Sequence, residues 1–267
     1  MTGTNIRHVD KTEVGDVYYL THPPLPSFSG LALPLKSHVI STQQKILAKP
    51  VADGMRFDQF INSLQLSRFR HRLDALLGVP TPPREWVDYS LGELKVSKEV
   101  EHLSVNIQYA EAFIPLLEVI NSRFCDGNAS IRQKLVREDS NDGSYYVYID
   151  PTEIVPALAQ LANFLDDETL PFLFRAIVAH AIIVAVHPFE DGNGRTARVF
   201  MNVYLRKYIS YFYFPLREIQ WTITPFYYII MRKAVILNEW EDLVRFFCTI
   251  FERGPRFKGL IIKHDSP

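Results

Sequence analysis

Cysteine is scarce in this chain. Cys125 and Cys248 are the two in 267 residues, they stand far apart, and they form no CxxC pair. A disulfide scaffold or a zinc module is therefore not expected, both thiols read as inert, and a reducing compartment suits the chain. Charge of one sign is lacking too: 29 basic residues face 30 acidic ones for a formal net charge of -1, without a long run of either. Nothing at the level of the whole molecule attracts nucleic acid or an anionic membrane, so neither is an expected partner and any phosphate binding has to be local. The N-terminus mixes Arg7, Asp10, Lys11, Glu13 and Asp16 before any apolar run, which is not the basic-then-apolar order of a secretory leader. The greasiest stretch, Ala176 to Val186, has eleven residues, too few to cross about 30 Å of hydrocarbon, and reads as a buried helix. There is no internal repeat or low-complexity tract.

What is present is enough apolar residue, 47% against 22% charged, for one sizeable core or a main domain with a smaller companion. Residues up to about Pro50 are rich in Pro, Gly and Ser, notably from His22 to Gly30, and read as an irregular arm. From Phe57 to Leu77 apolar residues recur at helical spacing, stopped by Gly78 and Pro80. A candidate boundary near residue 80 would divide an N-terminal extension of unknown role, 1–80, from a main unit, 81–267; a single compact unit is equally compatible. Helical periodicity resumes from about Glu85 to Phe124, with Val100, Leu103, Ile107, Ala110, Ile114 and Leu117 on one face. Turn residues Asn141 to Ser144, followed by Tyr145 to Ile149, predict a short strand or hairpin arm. Helices are expected over about Pro151 to Leu165, Leu170 to Val186 with Thr169 as cap and Pro171 in the first turn, Arg195 to Ile209, and Pro225 to Arg253.

The chemistry concentrates where the apolar helix ends. His187 is followed by Pro188, which forbids continuation, and then by Gly192-Asn193-Gly194, a turn able to aim successive backbone N–H groups at one point. Because that turn opens into the next helix, the helix N-terminus adds partial positive charge, an arrangement suited to phosphate. Arg195 and Arg198, three apart, lean over one face of the first turn. Asp191 is a hard oxygen ligand suited to Mg²⁺ shared with phosphate oxygens and water. His187, with an ordinary pKa near neutrality, can take the proton of an incoming alcohol. Base, metal, cationic clamp and oriented donors are the parts that in-line displacement at phosphorus requires.

The run His187-Pro-Phe-Glu-Asp-Gly-Asn-Gly-Arg-Thr-Ala-Arg198 resembles the signature of the Fic family (filamentation induced by cAMP), HPFx(D/E)GNGRxxR, at every specified position. The likeness extends over roughly residues 95 to 250. It implies a mainly α fold: a helical bundle with a short β-hairpin flap, here with the N-terminal extension added. It further implies that His187 is the general base, Asp191 the metal ligand and Phe189 a core anchor. Gly192, Asn193 and Gly194 would form the anion hole, and Arg195 and Arg198 would grip the outer phosphates of ATP. The implied activity is transfer of AMP from MgATP to a Ser, Thr or Tyr hydroxyl of a target protein. The flap near Tyr145 to Ile149 would align that target as an added strand. Relatives often carry an inhibitory (S/T)xxxE(G/N) helix whose glutamate pairs with the second signature arginine. Imperfect copies here end at Glu85, Glu93 and Glu101.

Other readings stay open beside this one. The same fold could use another nucleotide or diphosphate donor, or the chain could be a nucleotide-responsive binding module with little catalysis. A homo-oligomer is left open, and the cytoplasm, of the producing cell or of a host, is the expected location. His180, among alanines and isoleucines, reads as a hydrogen-bonded core residue rather than a second base. Tyr227 and Tyr228 read as helix packing, and Trp86, Trp221 and Trp240 as core or interface residues.

Overall fold

The computed structural model describes residues 6–12, 15–48, 85–104, 109–125, 129–139, 145–209, 214, 216–222 and 224–253. Strands β1 (Ile6–Thr12) and β2 (Gly15–Leu20) are followed by helix α1 (Leu33–Ala48). Helices α2 (Glu85–Glu99), α3 (Glu101–Ser104) and α4 (Tyr109–Ser122) come next, and then the short strands β3 (Arg137–Asp139) and β4 (Tyr145–Val147). The remaining helices are α5 (Pro151–Asp166), α6 (Phe172–Val186), α7 (Asn193–Arg206), α8 (Leu216–Thr222), α9 (Thr224–Leu237) and α10 (Glu241–Arg253). The mainly α bundle with a small sheet matches the expected class.

Helix α6 organises the bundle because its sequence offers no polar face. Every residue of it but Val184 is buried, so neighbours must surround it, and α1, α5, α7, α9 and α10 do so. Burial includes Arg175 and His180, whose polar atoms need internal partners. Arg175 donates to the Leu165 carbonyl and to Tyr208, and His180 Nε2 lies 2.6 Å from the Tyr227 hydroxyl, which agrees with the core reading of that histidine. Helix α5 starts on Asp150, whose carboxylate accepts from the Thr152 N–H at 2.9 Å, with Pro151 in the first position.

Several sequence expectations need correction. The N-terminal arm is not irregular throughout. Strands β1 (residues 6–12) and β2 (residues 15–20) pair antiparallel, and α1 buries Leu35, Val39, Thr42 and Ile46, a helical spacing that the nearby Pro and Ser residues obscured. Among the described residues of the arm, the stretch between them is the irregular part, and its Leu25, Phe28 and Leu31 still pack on the core. Helix α1 is tied to α10 by Thr42 and Lys45, which donate to Glu252 at 3.0 and 2.8 Å. The long periodic run from Glu85 to Phe124 is divided among three helices. Its proposed apolar face breaks up accordingly: Val100 and Leu117 are buried whereas Leu103 and Ala110 are exposed. Thr169 does not cap α6; its hydroxyl bonds Asp167, and Pro171 holds the cap position. Asn238, in a left-handed conformation (φ 57°), separates α9 from α10. The helix expected over Phe57 to Leu77 and the boundary near residue 80 lie outside the described residues.

The four strands make one sheet in the order β1-β2-β4-β3. Strands β3 and β4 pair antiparallel, in agreement with the strand expected from Tyr145, and the turn residues between them lie outside the described residues. The unexpected part is β2, which runs parallel to β4 with Val17, Tyr18 and Tyr19 opposite Tyr145, Tyr146 and Val147. Tyr18 stacks on Tyr146, and the guanidinium of Arg232 lies 4.3 Å over the other ring's centroid, that of Tyr146. Both edges of β4 are thus already paired. Among the described residues, no helix is long and apolar enough to cross a membrane.

Candidate active site

Helix α6 delivers His187 to a fixed place, and the chain turns there. His187 caps the helix in the left-handed conformation (φ 51°, ψ 60°), with its N–H on the Ile183 carbonyl. That region is sparsely used by residues other than glycine, so neighbours must hold it. They do. The buried Arg132 donates Nε to the His187 carbonyl at 2.7 Å, and Tyr148 stacks on the imidazole with ring centroids 3.9 Å apart. Tyr148 is itself fixed by its hydroxyl, which donates to Glu138 at 2.6 Å. Burial pushes the His187 pKa down to about 4; the Val184 carbonyl opposes the fall, Arg132 adds to it, and Asp191 resists it. The imidazole is neutral near pH 7, the state that accepts a proton.

From Pro188 to Gly194 the loop closes on itself. Phe189 is 1% exposed, as an anchor should be. The buried Asn193 amide accepts from the Phe189 N–H at 2.9 Å and donates to the Phe189 carbonyl at 2.8 Å, so its side chain braces the loop instead of facing a ligand. Gly192 has φ 80°, and a Cβ there would lie 2.7 Å from Asn121 Nδ2 and 3.1 Å from Cys125 Sγ. Gly192→Ala is therefore expected to cost about 2 kcal/mol of stability, combining left-handed strain with the clash, read from the shift in urea midpoint. The first ladder bond of α7 runs from the Thr196 N–H to the Gly192 carbonyl, which leaves the amides of the first turn without intrahelical acceptors, as at any helix start.

The two arginines are both engaged, with different partners. Arg195 donates to Asp191 at 2.9 Å, and its guanidinium lies 5.3 Å over the Phe124 ring. The other Asp191 oxygen accepts from the Gly192 N–H at 2.6 Å. Arg198 is 7% exposed and Glu93 2%. Glu93 takes Arg198 Nε on both oxygens at 3.0 Å and Nη2 at 2.5 Å, while Gln220 accepts from Nη1 at 3.2 Å. Arg217 approaches the same carboxylate at 3.9 Å. Of the three glutamates singled out, Glu93 meets the second arginine; the side chains of Glu85 and Glu101 lie outside the described set. The Asp191 side chain is 80% exposed, so a hard oxygen donor with room for water and phosphate oxygens, as Mg²⁺ would need, stands at the mouth of the turn.

Residues 115–205 match the Fic/DOC family model. The chain carries a Fic domain. Protein adenylyltransferase fic-1 of Caenorhabditis elegans is 39% identical over 62 residues, which is 22% of this chain and 12% of the relative, so the chain spans a small part of that protein's length. The fold is shared with a Fic family protein of Desulfovibrio desulfuricans G20, at 14% identity and a TM-score of 0.58, covering 86% of this chain and 75% of that one. It is shared also with IbpAFic2, described as covalently tethered to Cdc42, at 14% identity and a TM-score of 0.50, covering 84% and 71%.

Sequence reasoning about the Fic domain missed the residues that hold the loop from outside. Asn121 donates to the Asp191 carbonyl at 2.9 Å and to Thr196 at 3.1 Å. A signal existed for it: a polar residue four positions after Leu117, on the buried face of α4. No comparable signal marks Arg132 or Tyr148. The two histidines of the domain predict acid sensitivity. Burial, helped by the charge of Arg198, lowers the His180 pKa to about 3. Its folded pKa lies below the unfolded value of about 6.5, so the unfolded chain gains the extra proton and stability falls as pH drops below 6.5. Between pH 7 and 5 the loss from His180 is expected to be about 2 kcal/mol, with His187 acting in the same direction. Urea unfolding at both pH values checks this, and His180→Gln should flatten the dependence.

Proposed function

We propose that this Fic domain transfers AMP from ATP to a Ser, Thr or Tyr hydroxyl of a target protein, and that Glu93 restrains the reaction. The acceptor oxygen attacks the α-phosphorus, the bond from that phosphorus to the bridging oxygen breaks, and pyrophosphate leaves. His187, neutral and fixed by Arg132 and Tyr148, takes the hydroxyl proton. Amides at the start of α7 and the forks of Arg195 and Arg198 orient and neutralise the phosphates. Asp191 would hold Mg²⁺, which supplies charge neutralisation to the phosphate oxygens when bound. With the ion held there, the guanidinium of Arg195, which Asp191 now pairs with, would be available to the phosphates.

The observation that carries the reading is the convergence of a half-buried neutral imidazole, a left-handed glycine turn at a helix start, and an arginine gripped by a carboxylate from 105 positions away. Glu93 occupies the fork that a phosphate would take. A target strand is expected at the sheet carrying Tyr145 to Ile149; because β2 and β3 flank β4, it reaches that strand by replacing β2. The test is incubation of the Glu93→Gly protein with a lysate and α-phosphate-labelled ATP, followed by mass spectrometry. AMP on a hydroxyl side chain supports the reading. An unlabelled phosphoryl group as the added mass, or no modification at all, overturns it.

A further inference from the structure

Arg132 stands out among the buried charges. It is 2% exposed, and its hydrogen bonds run to backbone carbonyls rather than to a carboxylate. Nε meets the His187 carbonyl, Nη1 that of Lys134 and Nη2 that of Ile149, all at 2.7 Å, with Val186 at 3.5 Å from Nη2. Its own N–H donates to the Pro188 carbonyl at 2.9 Å. Asp150 attracts this guanidinium but does not bond it, and desolvating it is costly unless its donors find well-placed acceptors. Here the acceptors come from three separate pieces of chain: the end of α6, the loop after Ile131, and the residue that follows Tyr148 beyond β4. The position at the carboxyl end of α6 also suits a cation, since unpaired carbonyls gather there.

The consequence falls on His187. Its left-handed conformation is unfavourable by itself, and the carbonyl that Arg132 grips belongs to the same residue as the imidazole. Fixing that carbonyl fixes the Cα–Cβ direction, and so the side from which the ring meets the glycine turn. The same guanidinium holds Ile149, next to the Tyr148 that covers the ring. We propose that Arg132 is the positioning residue of this site: it locks the His187 turn and the foot of the flap into one unit, so that the imidazole keeps a single orientation. As regards catalysis, the inference rests on the nucleotidyl-transfer reading.

The experiment uses Arg132→Lys and Arg132→Gln, each retaining a donor for the buried carbonyls, made in the Glu93→Gly protein. With histidine labelled at Cε1, the NMR titration of His187 is expected to move up by one pH unit or more as the ring loosens and hydrates, and its signal to split or broaden. In transfer assays kcat is expected to fall at least tenfold while KM for ATP stays within threefold, because Arg132 touches no phosphate site. An unchanged His187 titration with unchanged kcat in both variants overturns the proposal. So does a loss of kcat that tracks the unfolded fraction and is matched by a loss of ATP binding. Should the parent show no transfer, the titration still decides the role of Arg132, and it is the reaction assignment that fails.

Discussion

Replacing Glu93 by glycine is expected to raise the rate of label transfer from ATP at least tenfold while making the ligand-free protein less stable. The two effects share one cause. Glu93 and Arg198 are an ion pair out of reach of water, with side chains 3% and 9% exposed. Removing one partner leaves the other buried and uncompensated, at a cost on the order of 3–5 kcal/mol. The nearby Arg217 sharpens the penalty by leaving two cations facing a vacated space. A second glycine beside Gly92 adds about 1 kcal/mol of lost helix propensity, which Glu93→Ala avoids. In that space a phosphate group can take the place of the carboxylate, so ATP should stabilise the variant strongly: ligand at 100 times its dissociation constant contributes about 2.7 kcal/mol. Thermal melts with and without MgATP, run beside label transfer, check both halves. A variant as inactive as the parent and indifferent to ATP would remove Glu93 from the account.

His187→Ala is expected to lower kcat by a factor of about 10²–10⁴ in the Glu93→Gly background, the range associated with loss of a positioned general base. ATP affinity should hold, because in the proposed reaction the imidazole serves the acceptor hydroxyl whereas the amides of α7 and the arginines serve the phosphates. The pH profile gives a second check. With the His187 pKa lowered to about 4, the acid limb of kcat/KM should lie well below the 6.5 of a free imidazole. An alanine variant retaining full activity would show that the proton is taken elsewhere, and a limb at 6.5 would mean that the ring is open to water in the working enzyme.

The fold was legible where the pattern is local and strong. An apolar stretch from Ala176 to Val186, interrupted by His180 alone, reads as an enclosed helix, and it is one. Asp150 and Pro151 start α5 by short-range chemistry that any reader of the chain can see. The arm was misread because turn residues from His22 to Gly30 suggested that their surroundings were irregular also. Yet Val17 to Leu20 is β-branched and aromatic, and Leu35, Val39, Thr42 and Ile46 keep a helical period. The run after Glu85 was misread in the opposite sense, since apolar periodicity alone does not say where one helix stops and the next begins.

For the site, the twelve residues from His187 to Arg198 carry their own geometry: a helix stop, a left-handed glycine, and a new helix start follow from proline and glycine chemistry within a few positions. The sequence alone therefore determined which groups stand beside which along the loop, and the family they point to. It could not determine what grips that loop. Glu93 reaches Arg198 across 105 positions, Asn121 reaches Asp191 across 70, and Arg132 reaches His187 across 55. Such pairs are set by which helix faces are forced together when the core is buried, a balance spread over the whole chain. The tertiary structure thus decided that Arg198 is held by a carboxylate, that the imidazole is braced and neutral, and that a strand from the N-terminus lies beside β4.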